Sequence, residues 1–349
     1  MTDHMVEFTR RILDAAKEKK ALRILGGGSK DFHAHTLKGE ILETSAYQGI
    51  VNYEPTELII TARAGTSLQQ VESALAERGQ MLACEPPRLS PSSTLGGCVA
   101  AGWSGPRRAY TGSVRDFVLG VRVINGRGED LRFGGEVMKN VAGFDMSRLM
   151  TGSFGTLGLI LEVSLKVLPR PLHEQTLRFE MDGSRAIERM NHWAGQPLPV
   201  SGTLWWDGKL YVRLSGPESA IRAARENMGG ELQADAGALW THVRDQSLGF
   251  FQGTVWRLSI RSSTPALDLP GPQLMEWNGA LRWISGDADA SRVHQIARAA
   301  GGHALRYRGG DASQGVYQAE AATLKLQQRI KAAMDPSGIF SPGRLHPQI

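Results

Sequence analysis

Hydrophobic positions in the first part of the chain follow helical and strand periods in turn. Four apolar residues at helical spacing predict an amphipathic opening helix: Phe8, Ile12, Leu13 and Ala16. Short apolar runs predict strands at 22–25, 41–43, 50–53 and 58–62. Thr66 and Gln69 have the spacing of a capping box and predict the start of a second helix. This alternation is typical of α/β packing.

Strand patterns dominate from Val114 onward. Residues 118–124 and 131–133 flank the turn sequence Asn-Gly-Arg-Gly and predict a hairpin. A β-rich segment at 157–168 ends at Pro169-Arg170-Pro171. Because proline cannot continue a central strand, we place the end of a first domain at residue 170.

The remaining chain combines hairpins with helices. Asp207-Gly208 and Asn278-Gly279 each separate two strand-like runs and predict two-residue hairpin turns. Ser184 is expected to cap one helix, and Pro217 to occupy the first position of another. A further helix is expected at 291–300 and a strand at 304–308. The pattern predicts an antiparallel α+β cap domain at 171–320, followed by a C-terminal helix and tail at 321–349.

Composition and charge narrow the class of protein. The 349 residues fit two domains, and the net charge of +5 is interspersed along the chain, so we expect no nucleic-acid partner. The charged opening segment and the lack of a long apolar run predict a cytoplasmic protein without a secretory signal. Two cysteines cannot by themselves form a zinc or iron–sulfur site, so no metal centre is expected.

Two loops combine glycines with hydroxyl groups. The first, Gly26 to Lys30, follows a predicted strand but matches neither the P-loop nor the Rossmann glycine spacing. Its backbone amides could bind a pyrophosphate, although a plain glycine turn is an equal alternative. The second, Ser90 to Gly97, continues into small residues and is expected to be buried, which favours a ligand over a surface loop. Together the loops favour a phosphate-bearing ligand.

These loops resemble the flavin signature of the p-cresol methylhydroxylase/vanillyl-alcohol oxidase superfamily. The segments from Tyr110 to Gly120 and from Gly143 through Gly158 to Ile160 resemble it as well. Residues 331–344 resemble the C-terminal segment that returns to the flavin domain in that family. Length and detail are most similar to the FAD-binding E subunits of bacterial glycolate oxidase. The resemblance implies a two-subdomain FAD-binding domain, with an α/β part and an antiparallel sheet part, followed by an α+β cap.

The resemblance also implies roles for individual residues. The residues expected at the pyrophosphate are Gly26, Gly27, Gly28, Ser29 and Lys30 on one side and Pro91, Ser92, Ser93 and Thr94 on the other. Those expected near the isoalloxazine are Gly97, Gly102, Trp103 and Tyr110. Gly155 and Ile160 are expected at the adenine through backbone atoms. Asp116 and Asp145 are expected to be structural. His33 and His35 do not have the spacing of the family's covalent attachment motif, so FAD is expected to bind non-covalently.

The cap domain shows no recognisable substrate machinery. It has no His-x-x-His or His-His cluster. Most of its arginines are expected on a solvated strand face, which is favoured over a substrate clamp; those considered are Arg213, Arg257, Arg261, Arg282, Arg306 and Arg308. Six tryptophans are expected in the cap core or at a subunit interface: Trp205, Trp206, Trp240, Trp256, Trp277 and Trp283.

Three functions remain open. The favoured one is an FAD-binding subunit of a glycolate oxidase that works with a catalytic FAD-containing subunit and an iron–sulfur subunit, and that reaches the inner membrane only through those partners. A self-sufficient 2-hydroxy acid dehydrogenase is disfavoured by the missing histidine cluster. A structural subunit with a vestigial flavin fold is disfavoured by the intact loops. A leucine at Gly27 is expected to occupy the phosphate space and expel the cofactor.

Overall fold

The computed structural model describes residues 2–33, 36–135, 146–310 and 319–349. In these ranges helices pack on largely antiparallel sheets, which confirms the predicted α+β class. The helices are α1 (Thr2–Glu18), α2 (Leu68–Ala76), α3 (Leu95–Ala101), α4 (Arg108–Thr111), α5 (Val114–Phe117), α6 (Met146–Leu149), α7 (Gly183–Ala194), α8 (Glu218–Met228), α9 (Ala236–Arg244), α10 (Ala290–Ala299) and α11 (Ala321–Met334).

The strands form two small pairs and two large sheets. They are β1 (Leu22–Leu25), β2 (Glu40–Glu43), β3 (Ile50–Glu54), β4 (Ile59–Arg63), β5 (Gln80–Met81), β6 (Val118–Ile124), β7 (Asp130–Gly134), β8 (Leu159–Lys166), β9 (Leu168–Pro169), β10 (His173–Glu180), β11 (Val200–Trp206), β12 (Lys209–Gly216), β13 (Glu231–Leu232), β14 (Val255–Ser259), β15 (Gln273–Glu276), β16 (Leu281–Ser285) and β17 (His303–Arg308). The predicted hairpin of β6 and β7 is confirmed.

The opening helix covers the parallel pair of β1 and β2. Phe8, Ile12 and Ala15 are buried in a cluster that also contains Leu22 of β1. Leu13, expected on the same face, is 47% exposed, because the buried stripe is centred on Ile12 and Leu13 lies one helical step beyond it. The helix is therefore confirmed and one residue of its apolar face is corrected.

The five-stranded sheet has the order β3-β4-β8-β6-β7 and is antiparallel throughout. The strands β3 and β4, which alternate with helices along the sequence, belong to this sheet because β4 pairs with the distant β8. α2 and α3 pack on one face of it. The capping box of α2 is formed by Ser67 and Gln70, one residue later than predicted. Thr66 instead bonds the backbone of Gly49.

The eight-stranded sheet has the order β13-β10-β12-β11-β15-β16-β14-β17. Asp207 and Gly208 both have positive φ, 52° and 71°, as the predicted two-residue turn requires. The second predicted turn is longer, since Glu276 pairs with Leu281 and four residues connect β15 to β16. Asp182 caps α7 instead of Ser184. Pro217 precedes α8 as its cap rather than forming its first turn.

The C-terminal segment lies beside β1. The amide of Leu22 donates to the carbonyl of Ile339 at 2.7 Å, and the amide of Ser341 donates to the carbonyl of Leu22 at 2.8 Å. Lys331, on α11, is buried and donates to the carboxylate of Asp335 at 2.6 Å and to the carbonyl oxygen of Thr156 at 2.7 Å. This buried ion pair fixes the tail against the first half of the chain.

Buried polar contacts join the eight-stranded sheet to the segments around Glu85 and Arg107. Arg107 donates to Glu85 at 2.9 Å and to Ser215 at 3.2 Å, and it also bonds Glu174. Arg213 of β12 donates to the same Glu85 at 2.9 Å. The strands of the first sheet end at Lys166 and those of the second begin at His173. The division of the chain after residues 170 and 320 stays a prediction.

A buried carboxyl group in the eight-stranded sheet gives a testable pH dependence. Glu276 is 4% exposed, and its Oε1 accepts a hydrogen bond from Trp283 at 2.9 Å. Burial raises the pKa of Glu276 from its usual 4.5 to about 7. The folded chain thus holds this proton more tightly than the unfolded chain, and the contribution to stability is lost as pH rises through about 7.

We expect Glu276→Gln to remove this pH-dependent contribution to stability, because the amide oxygen still accepts the hydrogen bond from Trp283 and the amide does not ionise. The free energy of unfolding of the unsubstituted chain should fall by about 3 kcal/mol more than that of the variant between pH 5 and pH 8. Urea denaturation at both pH values measures this, with the exposed Glu226→Gln as the control. Equal pH dependence in the unsubstituted chain and in Glu276→Gln would contradict the assignment.

Candidate functional site

The first glycine loop follows β1 directly. Gly28 has a φ of 67°, and the amide of Asp31 donates to its carbonyl at 3.1 Å, so the backbone turns sharply after the strand. The loop ends at Lys30, which is only 7% exposed. The predicted strand–loop arrangement therefore places a buried cation at the end of a glycine turn.

The second loop lies against the first. Ser92 donates to the carbonyl of Gly27 at 2.8 Å, and Ser93 donates to the hydroxyl of Ser29 at 3.1 Å. Thr94 caps α3 by accepting from the amide of Gly97 at 3.1 Å. The hydroxyl groups of Ser29, Ser92 and Ser93, which are predicted to face a pyrophosphate, thus hold the two loops together.

Gly27 is required at the contact between these loops. A Cβ built on Gly27 would lie 1.6 Å from the backbone oxygen of Ser92, and one on Gly26 would lie 2.6 Å from Oγ1 of Thr94. A side chain at position 27 would therefore point into the second loop. The expectation that it would occupy phosphate space is corrected: its effect is to separate the loops.

A cavity of about 80 Å³ lies beside the glycine loop, and we call it the cradle. Nine predicted site residues line it: Gly26, Gly27, Gly28, Ser29, Lys30, Thr94, Gly97, Gly155 and Ile160. Gly155 has a φ of 75°, which a residue with a Cβ adopts only with strain. The segment at 152–160, which also carries the family resemblance, therefore reaches the same cavity as the two loops.

Lys30 has no ion-pair partner among the residues that the structure describes. Burial lowers the pKa of Lys30, and no carboxylate of the described residues lies within ion-pair distance of its ammonium group. Its Nζ lies 6.0 Å from the ring centroid of Trp103. Desolvating an unpaired ammonium is unfavourable, so this arrangement favours an anionic ligand in the cradle.

An aromatic cluster borders the cradle. Trp103 packs with His33, Phe154 and Tyr307, with ring centroids separated by 5.0, 5.8 and 4.8 Å. The Nδ1 of His33 is 3.1 Å from the carbonyl oxygen of Tyr307, and burial lowers the pKa of His33 to about 4. Phe154 has a φ of 51°, a strained value for a bulky residue. His35 lies outside the described residues.

A second cavity of about 610 Å³ lies on the other side of this cluster. Phe154 and Arg344 line both cavities, and Trp103 lines the second. The buried hydroxyl oxygens of Thr151 and Ser153 in its wall have no hydrogen-bond partner among the described residues. Polar groups buried in this way are commonly satisfied by a ligand or by water.

The remaining predicted residues lie outside the walls of these two cavities: Pro91, Ser92, Ser93, Gly102 and Tyr110. Gly102 has a φ of 66° and ends α3. Tyr110 donates to Oδ1 of Asn278 at 2.6 Å, and burial raises its pKa to about 12. Tyr110 therefore joins α4 to the connection between β15 and β16. Asp116 accepts from the amide of Ser113 at 2.8 Å and so is structural, as expected, whereas Asp145 lies outside the described residues.

The sequence did not reveal that Arg344 lines the candidate site. It lines both cavities although it lies more than 300 positions after the glycine loop. Its guanidinium carbon lies 5.6 Å from the ring centroid of Phe154. The resemblance extends to the segment containing Arg344, but a single arginine after a glycine has no pattern that assigns it to a ligand.

The expectation of a solvated arginine face in the cap is wrong for Arg213 and Arg282. They are 4% and 1% exposed. Arg213 bonds Glu85, and Arg282 donates to the carbonyl oxygens of Gly279 at 3.1 Å and Pro265 at 2.7 Å. Alternation along a strand separates two faces, but it does not say which of them another part of the chain covers.

Other cap residues pack among aromatic rings. The guanidinium carbon of Arg257 lies 5.5 Å from the ring centroid of Trp277 and 5.8 Å from that of Trp283, and burial lowers its pKa to about 10. Four of the six tryptophans are buried in the cap core, as predicted: Trp240, Trp256, Trp277 and Trp283. Among the described residues, no group of three His, Cys, Asp or Glu side chains could hold a metal ion.

Comparison with known proteins identifies the cofactor. A family model described as "FAD binding domain" matches residues 5–134. The glycolate oxidase subunit GlcE of Escherichia coli (strain K12) is 48% identical over 349 residues, which covers 99% of each chain. These two matches show that the chain is an FAD-dependent oxidoreductase subunit. The described part of the chain contains no helix that is long and apolar enough to cross a membrane.

More distant relatives share part of the chain. The glycolate oxidase subunit GlcD of Bacillus subtilis (strain 168) is 33% identical over 128 residues, covering 37% of this chain and 27% of that protein. A mitochondrial cytochrome-type D-lactate dehydrogenase of Arabidopsis thaliana is 27% identical over 170 residues, covering 48% of this chain and 30% of that protein. The solved structure of an alkyldihydroxyacetonephosphate synthase has a TM-score of 0.66 at 14% identity, covering 96% of this chain and 74% of that one, and shares the fold.

We expect Lys30→Met to weaken FAD binding without destabilising the apoprotein. Methionine is similar in shape to lysine but has no charge. Because the substitution removes a desolvated charge, the Tm without FAD should be unchanged or higher. The Kd for FAD should rise at least about tenfold, since a charged contact to the ligand is lost. Flavin fluorescence titration and thermal melts test this, with exposed Lys38→Met as the control. An unchanged Kd would remove Lys30 from the site.

Gly27→Leu should act differently, because it separates the two loops. Both the Tm of the apoprotein and the bound flavin should decrease. Gly237→Leu is the matched control, since a Cβ on Gly237 meets no atom within 4 Å. Normal flavin content in purified Gly27→Leu would show that the contact between the loops does not form the site.

Proposed function

Because the chain belongs to the family of the glycolate oxidase subunit GlcE, we propose that it is the FAD-binding subunit of a complex that oxidises glycolate to glyoxylate. In this proposal the chain binds FAD non-covalently and supports electron transfer together with a catalytic flavoprotein subunit and an iron–sulfur subunit. The cradle, with its glycine backbone and the buried ammonium group of Lys30, is the observation that carries the proposal. FAD, when bound, supplies the redox chemistry.

The residues that line the cradle fit the pyrophosphate of a dinucleotide cofactor. Its glycines leave the backbone accessible, and Lys30 provides a cation where a pyrophosphate needs one. Pockets that bind drug-sized ligands have volumes of roughly 300–1,000 Å³. The cradle alone is smaller, but the adjoining cavity of about 610 Å³ offers aromatic walls and unsatisfied hydroxyl groups to the rest of the cofactor.

A supporting role is favoured over independent catalysis because two cap arginines that could bind a substrate carboxylate already bond other parts of the chain. Arg213 and Arg282 are used in structural hydrogen bonds. His33, beside the cradle, is a weak base because its pKa is about 4. An efficient general base for a hydroxyl proton would have a pKa near the working pH.

The alternative of a self-sufficient 2-hydroxy acid dehydrogenase makes a different prediction for the isolated chain. We expect the purified chain to bind FAD, to release it on acid precipitation, and to reduce an artificial acceptor with glycolate only slowly. Flavin should appear in the acid supernatant, because no covalent bond retains it. Rapid turnover by the isolated chain would overturn the supporting role, and a chain that binds no FAD would favour the vestigial fold.

Purification from the native host tests the complex itself. An affinity-tagged chain should bring down a second flavoprotein chain and an iron–sulfur chain, and flavin and iron should be quantified in the same sample. The tagged Lys30→Met variant shows whether assembly needs bound FAD. Recovery of the chain alone, with full glycolate dehydrogenase activity, would contradict the proposal.

A further inference from the structure

The C-terminal segment brings a buried arginine to the cradle. Phe340 pairs with Leu22 in a parallel bridge, and Ser341 bonds the same residue of β1. Since β1 leads directly into the glycine loop, Arg344 is carried to the mouth of that loop. It is 7% exposed and lines both the cradle and the larger cavity.

The guanidinium of Arg344 is incompletely paired. Its contact with Asp31 is 3.4 Å, whereas Arg23 reaches the other oxygen of the same carboxylate at 2.8 Å. The buried Nε of Arg344 has no hydrogen-bond partner among the described residues. Asp31 is therefore better compensated by Arg23, and Arg344 retains donor capacity at the cavity wall.

We propose that Arg344 is a cofactor-binding residue whose guanidinium binds the diphosphate of FAD. The proposal rests on the FAD-binding function given above. Of the described residues, the charged ones that line the cradle are Lys30, Asp31 and Arg344. With Asp31 paired to Arg23, two cations remain, and they match the negative charges carried by the two phosphates.

Arginine suits this position better than lysine. Its planar, forked donors bind phosphate oxygens in pairs, and its weaker hydration lowers the cost of burial. The ring of Phe154 beneath the guanidinium holds it in place. The last residues of the chain thereby complete a site that begins at residue 26, and FAD binding depends on a docked C-terminal segment.

The test measures binding of FAD and of ADP to the full chain as apoprotein. ADP carries the diphosphate but no isoalloxazine. Arg344→Gln should raise the Kd of both ligands by at least about tenfold and to a similar extent. Arg344→Lys should show a smaller, equally shared loss. Exposed Arg329→Gln, which changes the net charge equally, should bind both ligands normally.

Several results would overturn this assignment. A loss confined to FAD would place Arg344 at the flavin ring, and unchanged affinities would remove it from the site. If Arg344→Gln fails to fold, as judged by the Tm of the apoprotein, Arg344→Lys decides by the same two titrations. Failure of the unsubstituted chain to bind FAD would reject the proposed function instead, so the two failures are distinguishable.

Discussion

The close approach of two backbone loops is the constraint on which the site depends. A Cβ at Gly27 would overlap the carbonyl oxygen of Ser92, so the loops can meet only where position 27 has no side chain. Their hydroxyl groups are used in this contact, since Ser92 and Ser93 bond the first loop. In the proposed function, the anion is therefore bound by backbone amides, Lys30 and Arg344 beside this pair of loops.

The same pair of loops explains why distant parts of the chain must be present. β1 is a short strand that pairs with β2 on one side and with the C-terminal segment on the other. The buried ion pair of Lys331 and Asp335 fixes the turn that leads into this segment. The cradle and the anchored tail are therefore parts of one arrangement, and Arg344 of the tail lines the cradle.

The cap sheet contributes attachment and aromatic walls. Glu85 accepts from both Arg107 and Arg213, so one carboxylate joins β12 of the eight-stranded sheet to the start of α4. Tyr307 extends the aromatic cluster that separates the two cavities. Arg107 and Arg213 are thereby used in structural contacts. This use of two arginines supports the proposal that a partner provides the substrate site.

The sequence by itself determined the elements and the cofactor class. Helical and strand periods located α1, β1, the hairpin of β6 and β7 and the Asp207 turn, because these patterns depend on neighbouring residues. Glycine and hydroxyl motifs identified both cradle loops, since positive φ and close approach leave few alternatives to glycine. Errors of one or two positions at Ser67 and Asp182 arose because adjacent hydroxyl and carboxyl residues compete for one cap.

Only the tertiary structure decided which polar residues face each other. Arg213 and Arg282 look like surface arginines along their strands, but another part of the chain covers them. Ser92 proved to hold a loop, and Arg344 reached the cradle from the far end of the chain. Such contacts depend on how distant segments fold together, and residue spacing within one segment carries no information about them.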